Sequence, residues 1–280
     1  MTATEMSDVW RSRVRRAMRL RKVLCWAMLL AFFGASFAGA QSAGSALPDA
    51  PVAQSGDRGA VTVRNAPVHV LQDQVAIWTS PAHIRKRDLI WMMPLAAGIG
   101  AGIATDHHVL SSLVSHDEDF NNANIDASNA MIDGLIAGPA VLYVYGHLGG
   151  NEHARETGIL TGEALVDSLV VEQGMKLVFW RERPTSDDAH GRFFQGSAGP
   201  DSSFPSSHSM LAWSAAAAMA EEYRSPWVQA GLYSLATGVS LTRVLGQEHF
   251  PTDVLVGSAT GWLIGHYVVR RRHRYEGLRH

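Results

Sequence analysis

The sequence has a single cysteine, Cys25, so no disulfide framework can hold it together. Lysine is nearly missing as well: Lys22, Lys86 and Lys176 are the only three in 280 residues. Charged side chains make up 18% of the chain and the net charge is −2, which excludes a general basic surface for nucleic acid. Alternating apolar–polar runs of the strand type are almost absent. What is present is a chain that is 46% apolar, which excludes a disordered tail and suffices for one large domain with a sizeable core.

The near-zero charge conceals two unlike parts. Residues 1–40 carry seven basic side chains and two acids, Glu5 and Asp8, which leaves the other 240 residues with a net charge of −7. The basic run ends at Lys22, an apolar stretch follows from Val23 to Phe37, and Ala38-Gly39-Ala40 supplies the small residues that a signal peptidase needs. This three-part pattern predicts a secretory signal peptide over 1–40 and an exported body, in the periplasm or cell envelope. The competing reading is an uncleaved anchor, since Val23–Ala40 is 18 residues long. Residues 41–80, rich in Ala, Ser, Gly, Pro and Gln, read as a flexible or extended lead-in with one short apolar patch at Val75-Ala76-Ile77-Trp78.

From Ser80 onward the periodicity is helical. It predicts helices near 82–104, 127–147, 157–182, 207–223, 226–242 and 253–272, an all-α six-helix bundle within a domain spanning 81–275. Leu89–Thr105 and Val254–Val269 are apolar enough to raise the question of membrane spans. The 157–182 helix argues against a full set, because Glu163, Asp167, Glu172, Gln173 and Lys176 are too polar for lipid. A globular bundle resting on a membrane surface is the simpler expectation. The basic tail from Arg270 to Arg274 would then contact anionic lipid or remain a solvated end.

Three short segments carry chemistry. In the first, Lys176 and Arg183-Pro184 are seven positions apart, so on a continuous helix the two cations share one line and form an anion clamp. The second, Phe204-Pro205-Ser206-Ser207-His208, reads as a helix start whose free N–H groups and hydroxyls suit phosphate, with a proton donor beside them. In the third, Thr242-Arg243 is followed by His249 and Asp253, four apart: a guanidinium fork and an imidazole that a carboxylate can orient. Each segment alone has a plainer reading: a solvated helix end, a serine cap with a surface histidine, and a His–Asp pair capping a helix.

Taken together, their order and spacing resemble the type 2 phosphatidic acid phosphatase/vanadium haloperoxidase superfamily. That pattern is Lys, six residues, Arg-Pro; then Pro-Ser-Gly-His; then Ser-Arg, five residues, His, three residues, Asp. Here it is met by Lys176 and Arg183-Pro184, by Pro205 to His208, and by Thr242-Arg243, His249 and Asp253. The match covers 176–253 directly. Two positions depart from it, Ser207 for glycine and Thr242 for serine. The resemblance implies an all-α phosphatase in which Lys176, Arg183, Ser206, Ser207 and Arg243 bind phosphate. It further implies that His249 is the nucleophile forming a phosphohistidine, that Asp253 orients it, and that His208 protonates the leaving group. It implies no metal and no cofactor, with vanadate binding as a phosphate mimic. The expected substrate is a phosphomonoester on a small molecule or a lipid, of the phosphatidic acid or isoprenyl diphosphate type. Two alternatives stand beside this: a vanadate-dependent haloperoxidase, and a non-catalytic envelope protein that binds anions or lipid.

Other clusters are weaker. Asp106-His107-His108 and His116-Asp117-Glu118-Asp119 could suggest metal, but the acidic loop lacks the glycine and terminal Glu of a calcium hand, and solvated loops are the plainer reading. Asp187, Asp188 and His190 are candidates for a pocket mouth. Phe179, Trp180, Phe193, Phe194 and Phe204 would suit a lipid tail or simply pack.

Overall fold

Helix boundaries in the computed structural model follow the capping chemistry of the chain. The residues described are 61–86, 89–186 and 190–277. The expected signal segment and the lead-in as far as residue 60 lie outside them. The described helices are α1 (Ala66–Thr79), α2 (Leu89–Leu113), α3 (Glu118–Gly149), α4 (Glu152–Phe179), α5 (Ser207–Glu222), α6 (Pro226–Leu245) and α7 (Pro251–Gly277), with a 3-10 turn at Ser80–His83. Among the described residues no strand occurs, so the all-α class holds, and there are seven α-helices rather than six.

The additional helix is α1, which corrects the reading of 41–80 as a flexible lead-in throughout. Its buried face is Ala66, His69, Val70 and Asp73, the spacing of a helical stripe. Two of those four residues are polar, which is why an apolar-periodicity reading passes over it. They are buried because they are paired. His69 Nδ1 lies 2.9 Å from Glu163 Oε1 on α4, and Asp73 accepts from Arg271 and Arg272 on α7, both at 2.5 Å. Gln74 donates to Asp167 Oδ1 at 2.8 Å.

The same contacts correct one further expectation and place the charges of α4. The charges of α4, too polar for lipid, are kept from it by burial: Glu163, Asp167, Glu172 and Lys176 all lie inside the protein. The basic tail is not a solvated end, since Arg272 is fully buried between Asp73 and Glu163.

Asp117 caps α3 by accepting from the Phe120 N–H at 2.8 Å, and Glu118 and Asp119 occupy the first turn. The acidic segment is therefore a helix start. By length and composition α3 could cross a membrane, and 22% of its most apolar 18-residue window is buried within the protein.

The core joins α3, α4, α5 and α6 through Ile132, Leu135, Leu165, Ala212, Ala215, Ala216, Met219, Ala236 and Val239. Helix α5 is an alanine ridge that lies almost backbone to backbone on α7. Gly257 and Gly265 make this approach possible, because a Cβ there would meet Ser206 O at 2.7 Å and Ser214 O at 2.5 Å. The close approach brings the start of α5, with the Pro-Ser-Ser-His segment, against the start of α7, which carries Asp253.

Candidate active site

Lys176 lies in the last turn of α4, which ends at Phe179 with Trp180 in the left-handed region at φ 32°. The helix thus stops four residues before Arg183, and the expectation that Lys176 and Arg183 share one helical line does not hold. Arg183 reaches the site from the loop that follows, where its Nε donates to Asp201 O at 2.9 Å. The helix stops because Arg181 turns inward. Arg181 is fully buried, donates to Asp106 Oδ2 (2.7 Å), Asp253 Oδ1 (2.6 Å), Thr252 Oγ1 (2.9 Å) and Gly191 O (2.9 Å), and lies over the rings of Phe193 and Phe250. It ties α2, α7 and the 190s loop to one guanidinium.

His249 is buried, and all its hydrogen bonds are made through Nδ1. The main partner is the Ser203 carbonyl at 2.8 Å, so Nδ1 carries the proton and Nε2 presents its lone pair. Asp253 Oδ2 is 3.8 Å from Nδ1, too far for a hydrogen bond. The expectation that Asp253 orients His249 directly is therefore corrected: it does so at one remove. Asp253 accepts from the Ser203 hydroxyl at 2.6 Å and the Phe250 N–H at 3.0 Å, and its own carbonyl accepts from Ser206 N–H at 3.1 Å. It fixes the segment whose carbonyl fixes the imidazole. Burial pushes its carboxyl above the usual carboxylate value, while Arg181 and these donors pull it back.

His208, in the first turn of α5, donates from Nε2 to Asn129 Oδ1 on α3 at 3.1 Å. Both histidines are held well below the ordinary imidazole pKa. Burial is the larger cause, and the positive charges of Arg243, Lys176 and Arg183 add to it in each case. That one set of cations acts on both rings shows that the three motif segments converge.

The cations themselves are engaged. Lys176 Nζ is 3.0 Å from Glu172 Oε1 and donates to Pro200 O at 3.1 Å; burial lowers its pKa and Glu172 opposes the shift. Arg183 Nη1 and Arg243 Nη2 both donate to Glu248 Oε2 at 3.0 Å. The buried Nε of Arg243 has no hydrogen-bond partner among the described residues. Ser206 caps α5 by accepting from Ser209 N–H, and Ser207 donates to Glu172 Oε1, so both serine hydroxyls bond within the protein. Thr242 bonds back to its own helix at Gly238 O, 2.7 Å away.

The sequence reading missed six residues as parts of the site: Arg181, Ser203, Asn129, Glu172, Glu248 and Asp106. Glu172 alone had a local signal, its four-residue spacing from Lys176. Asp187 and Asp188 lie outside the described residues. The His190 ring packs on that of His107, with centroids 4.6 Å apart. Phe204 is buried against Phe179 (5.2 Å) and Phe193 (5.4 Å), whereas Phe194 and Trp180 are exposed. Among the described residues no group of three or more His, Cys, Asp or Glu side chains is arranged to hold a metal ion.

A family model described as the PAP2 superfamily matches residues 157–276, which contain every one of these motif residues. Lipid A 1-phosphatase of Porphyromonas gingivalis is 35% identical over 81 residues, which is 27% of this chain. The chain covers only 18% of that relative's length. No solved structure gives a significant match. The segment 157–276 thus matches the PAP2 superfamily, and the lysine, both arginines, both histidines and Asp253 all fall inside it.

Proposed function

We propose that this protein is a phosphatase that removes a terminal phosphate from a phosphorylated lipid, through a phosphohistidine on His249. The observation that carries the reading is a buried imidazole, fixed with its proton on Nδ1, inside a field of three cationic side chains.

In the first half-reaction Lys176, Arg183 and Arg243 bind the phosphoryl oxygens and offset the charge that spreads over them in the transition state. The Nε2 lone pair of His249 attacks phosphorus in line as the bond to the leaving oxygen breaks. That oxygen takes a proton from His208. The incoming phosphate supplies this proton's stability, because a dianion beside a depressed imidazole favours its charged form. As the His249 ring becomes cationic, its Nδ1–H keeps the Ser203 carbonyl and Asp253 stabilises the charge at 3.8 Å. In the second half-reaction a water loses its proton to His208 and attacks phosphorus. The N–P bond breaks, and inorganic phosphate leaves with His249 neutral again. The three side-chain cations supply the positive charge for both steps, so the reaction calls for no metal.

A lipid leaving group is supported by exposed apolar residues where α4 runs into the site loop: Leu177, Val178, Trp180 and Phe194. The name of the Porphyromonas gingivalis relative points the same way.

The test is phosphate release by the full-length chain in detergent with EDTA present, from a lipid phosphate and from p-nitrophenyl phosphate. Wild type should turn over both, with the higher kcat/KM on the lipid. His249→Ala should lose at least about a thousandfold, as expected when a covalent nucleophile is removed. Undiminished turnover in His249→Ala, or turnover abolished by EDTA, would overturn the mechanism.

A further inference from the structure

The two arginines of the cradle are bridged by a carboxylate of the same chain. Glu248 Oε2 accepts from Arg183 Nη1 and from Arg243 Nη2, both at 3.0 Å. One oxygen shared by two guanidinium groups is the arrangement a phosphate oxygen adopts between the same two groups. The local backbone directs the side chain there. Gln247, the residue before it, has φ 54°, a left-handed conformation that a non-glycine residue adopts rarely. Its side chain is anchored by Nε2 donating to Ser115 O at 2.7 Å, and Glu248 N–H donates to Arg243 O at 3.1 Å. The turn thus presents Glu248 to the cradle while leaving its side chain 28% exposed, with room to swing outward. Arg243, by contrast, is almost fully buried and cannot follow it.

We infer that Glu248 is a built-in competitor for phosphate: it occupies the Arg183–Arg243 fork when the site is empty, is displaced when the phosphoryl group enters, and returns to expel inorganic phosphate. The inference rests on the phosphate-site reading above. It assigns to Glu248 a role in product release, since free phosphate makes no contacts outside the cradle to offset the competition. A substrate with a lipid body does make such contacts. The carboxylate weakens binding of both by the same factor, which the substrate's additional contacts offset and the product, held by the cradle alone, cannot.

The experiment is calorimetric titration of inorganic phosphate into the full-length protein in detergent, for wild type, Glu248→Gln, Glu248→Ala and Arg243→Gln, with vanadate inhibition constants measured alongside. Both Glu248 variants should bind phosphate about five- to tenfold more tightly, the range expected when one partly exposed ionic competitor is removed. Product inhibition by phosphate should strengthen to the same extent, and KM for the lipid substrate should fall by a comparable factor. If Glu248 instead braces the two arginines for binding, both variants will bind phosphate more weakly; that result, or no change, would overturn the proposal. Arg243→Gln separates the two levels of inference. Equal binding in wild type and Arg243→Gln would overturn the phosphate site itself and this proposal with it. Loss in Arg243→Gln without tightening in the Glu248 variants would overturn the role of Glu248 alone.

Discussion

Replacing Arg181 with methionine should damage the protein more than replacing any of the cations expected to touch phosphate. Arg181 never reaches the cradle. It stands at the junction of two buried carboxylates, Asp106 at 2.7 Å and Asp253 at 2.6 Å, and all three side chains are essentially inaccessible. Methionine fills a similar volume but leaves both acids without a counter-charge. Breaking a buried ion pair by removing one partner costs about 3–5 kcal/mol. For a domain of roughly 200 residues this corresponds to a fall in Tm of about 6–20 °C. The loss should also depend on pH. With Arg181 gone, the folded-state pKa values of Asp106 and Asp253 move further above their unfolded values, so the folded state binds more protons than the unfolded state in that window. Stability of the variant therefore falls as pH rises, and the deficit against wild type is larger at pH 8 than at pH 5. Thermal denaturation of the full-length protein, followed by near-UV circular dichroism at both pH values, reads this directly. A Tm within about 2 °C of wild type at pH 8, less than 1 kcal/mol on the same scale, would refute the assignment of Arg181 as the structural hub. So would a deficit that does not change with pH.

Two further predictions follow from the buried titratable groups. Asp167 has its carboxyl pushed up from 3.8 to about 8, chiefly by burial, and its Oδ2 has no hydrogen-bond partner among the described residues. A raised folded-state pKa means stability is lost as pH rises through that window, so Asp167→Asn should be progressively more stable than wild type between pH 4 and 8; a constant difference in denaturation midpoint would refute it. His249 is held well below its ordinary pKa of 6.5, so the nucleophile stays unprotonated into acid. The acidic limb of kcat/KM should therefore lie clearly below pH 6.5, and a limb at or above that value would show that the imidazole is not shielded as described.

The division between what the sequence revealed and what it hid has a physical basis. Lys176, Arg183, His208, Arg243, His249 and Asp253 were legible because each sits at a fixed short spacing within its own segment. What holds them is another matter. Arg181 finds Asp106 at a separation of 75 residues and Asp253 at 72, and no local pattern announces either pairing. Its inward turn ends α4 at Phe179, which is why a helix read through to 182 overshot. The lead-in concealed α1 for a related reason. On its buried face only Ala66 and Val70 are apolar, while His69 and Asp73 complete the stripe through partners on α4 and α7. Charge at a helix face thus had two meanings, solvent or buried partner, and only the tertiary contacts distinguish them. The all-α class survived these errors because α5 and α7 are specified locally, by an alanine ridge and by the glycines opposite it.

The departure at Ser207 shows how one such hidden partner changes the meaning of a motif position. Where the family pattern has glycine, this chain has a hydroxyl that donates to Glu172 Oε1, the same oxygen that lies 3.0 Å from Lys176 Nζ. Gln173 donates to the other oxygen at 2.6 Å. The carboxylate is fully buried, so its three donors satisfy its oxygens, and it holds Lys176 toward the site. Ser207→Gly therefore does more than restore a small residue: it removes one of these donors and should cost about 1–3 kcal/mol. Glu172→Gln should cost a comparable amount by weakening the support for buried Lys176. If the three groups act as a unit, the double variant will cost less than the sum of the two, with a coupling of about 0.5–3 kcal/mol. The cycle cancels the backbone flexibility that glycine adds to the first turn of α5, because that term appears in both arms. KM for substrate should rise in Glu172→Gln more than kcat falls, since Lys176 is misplaced rather than removed. Additivity within about 0.3 kcal/mol would show that Ser207 merely fills space and that Lys176 is held without it.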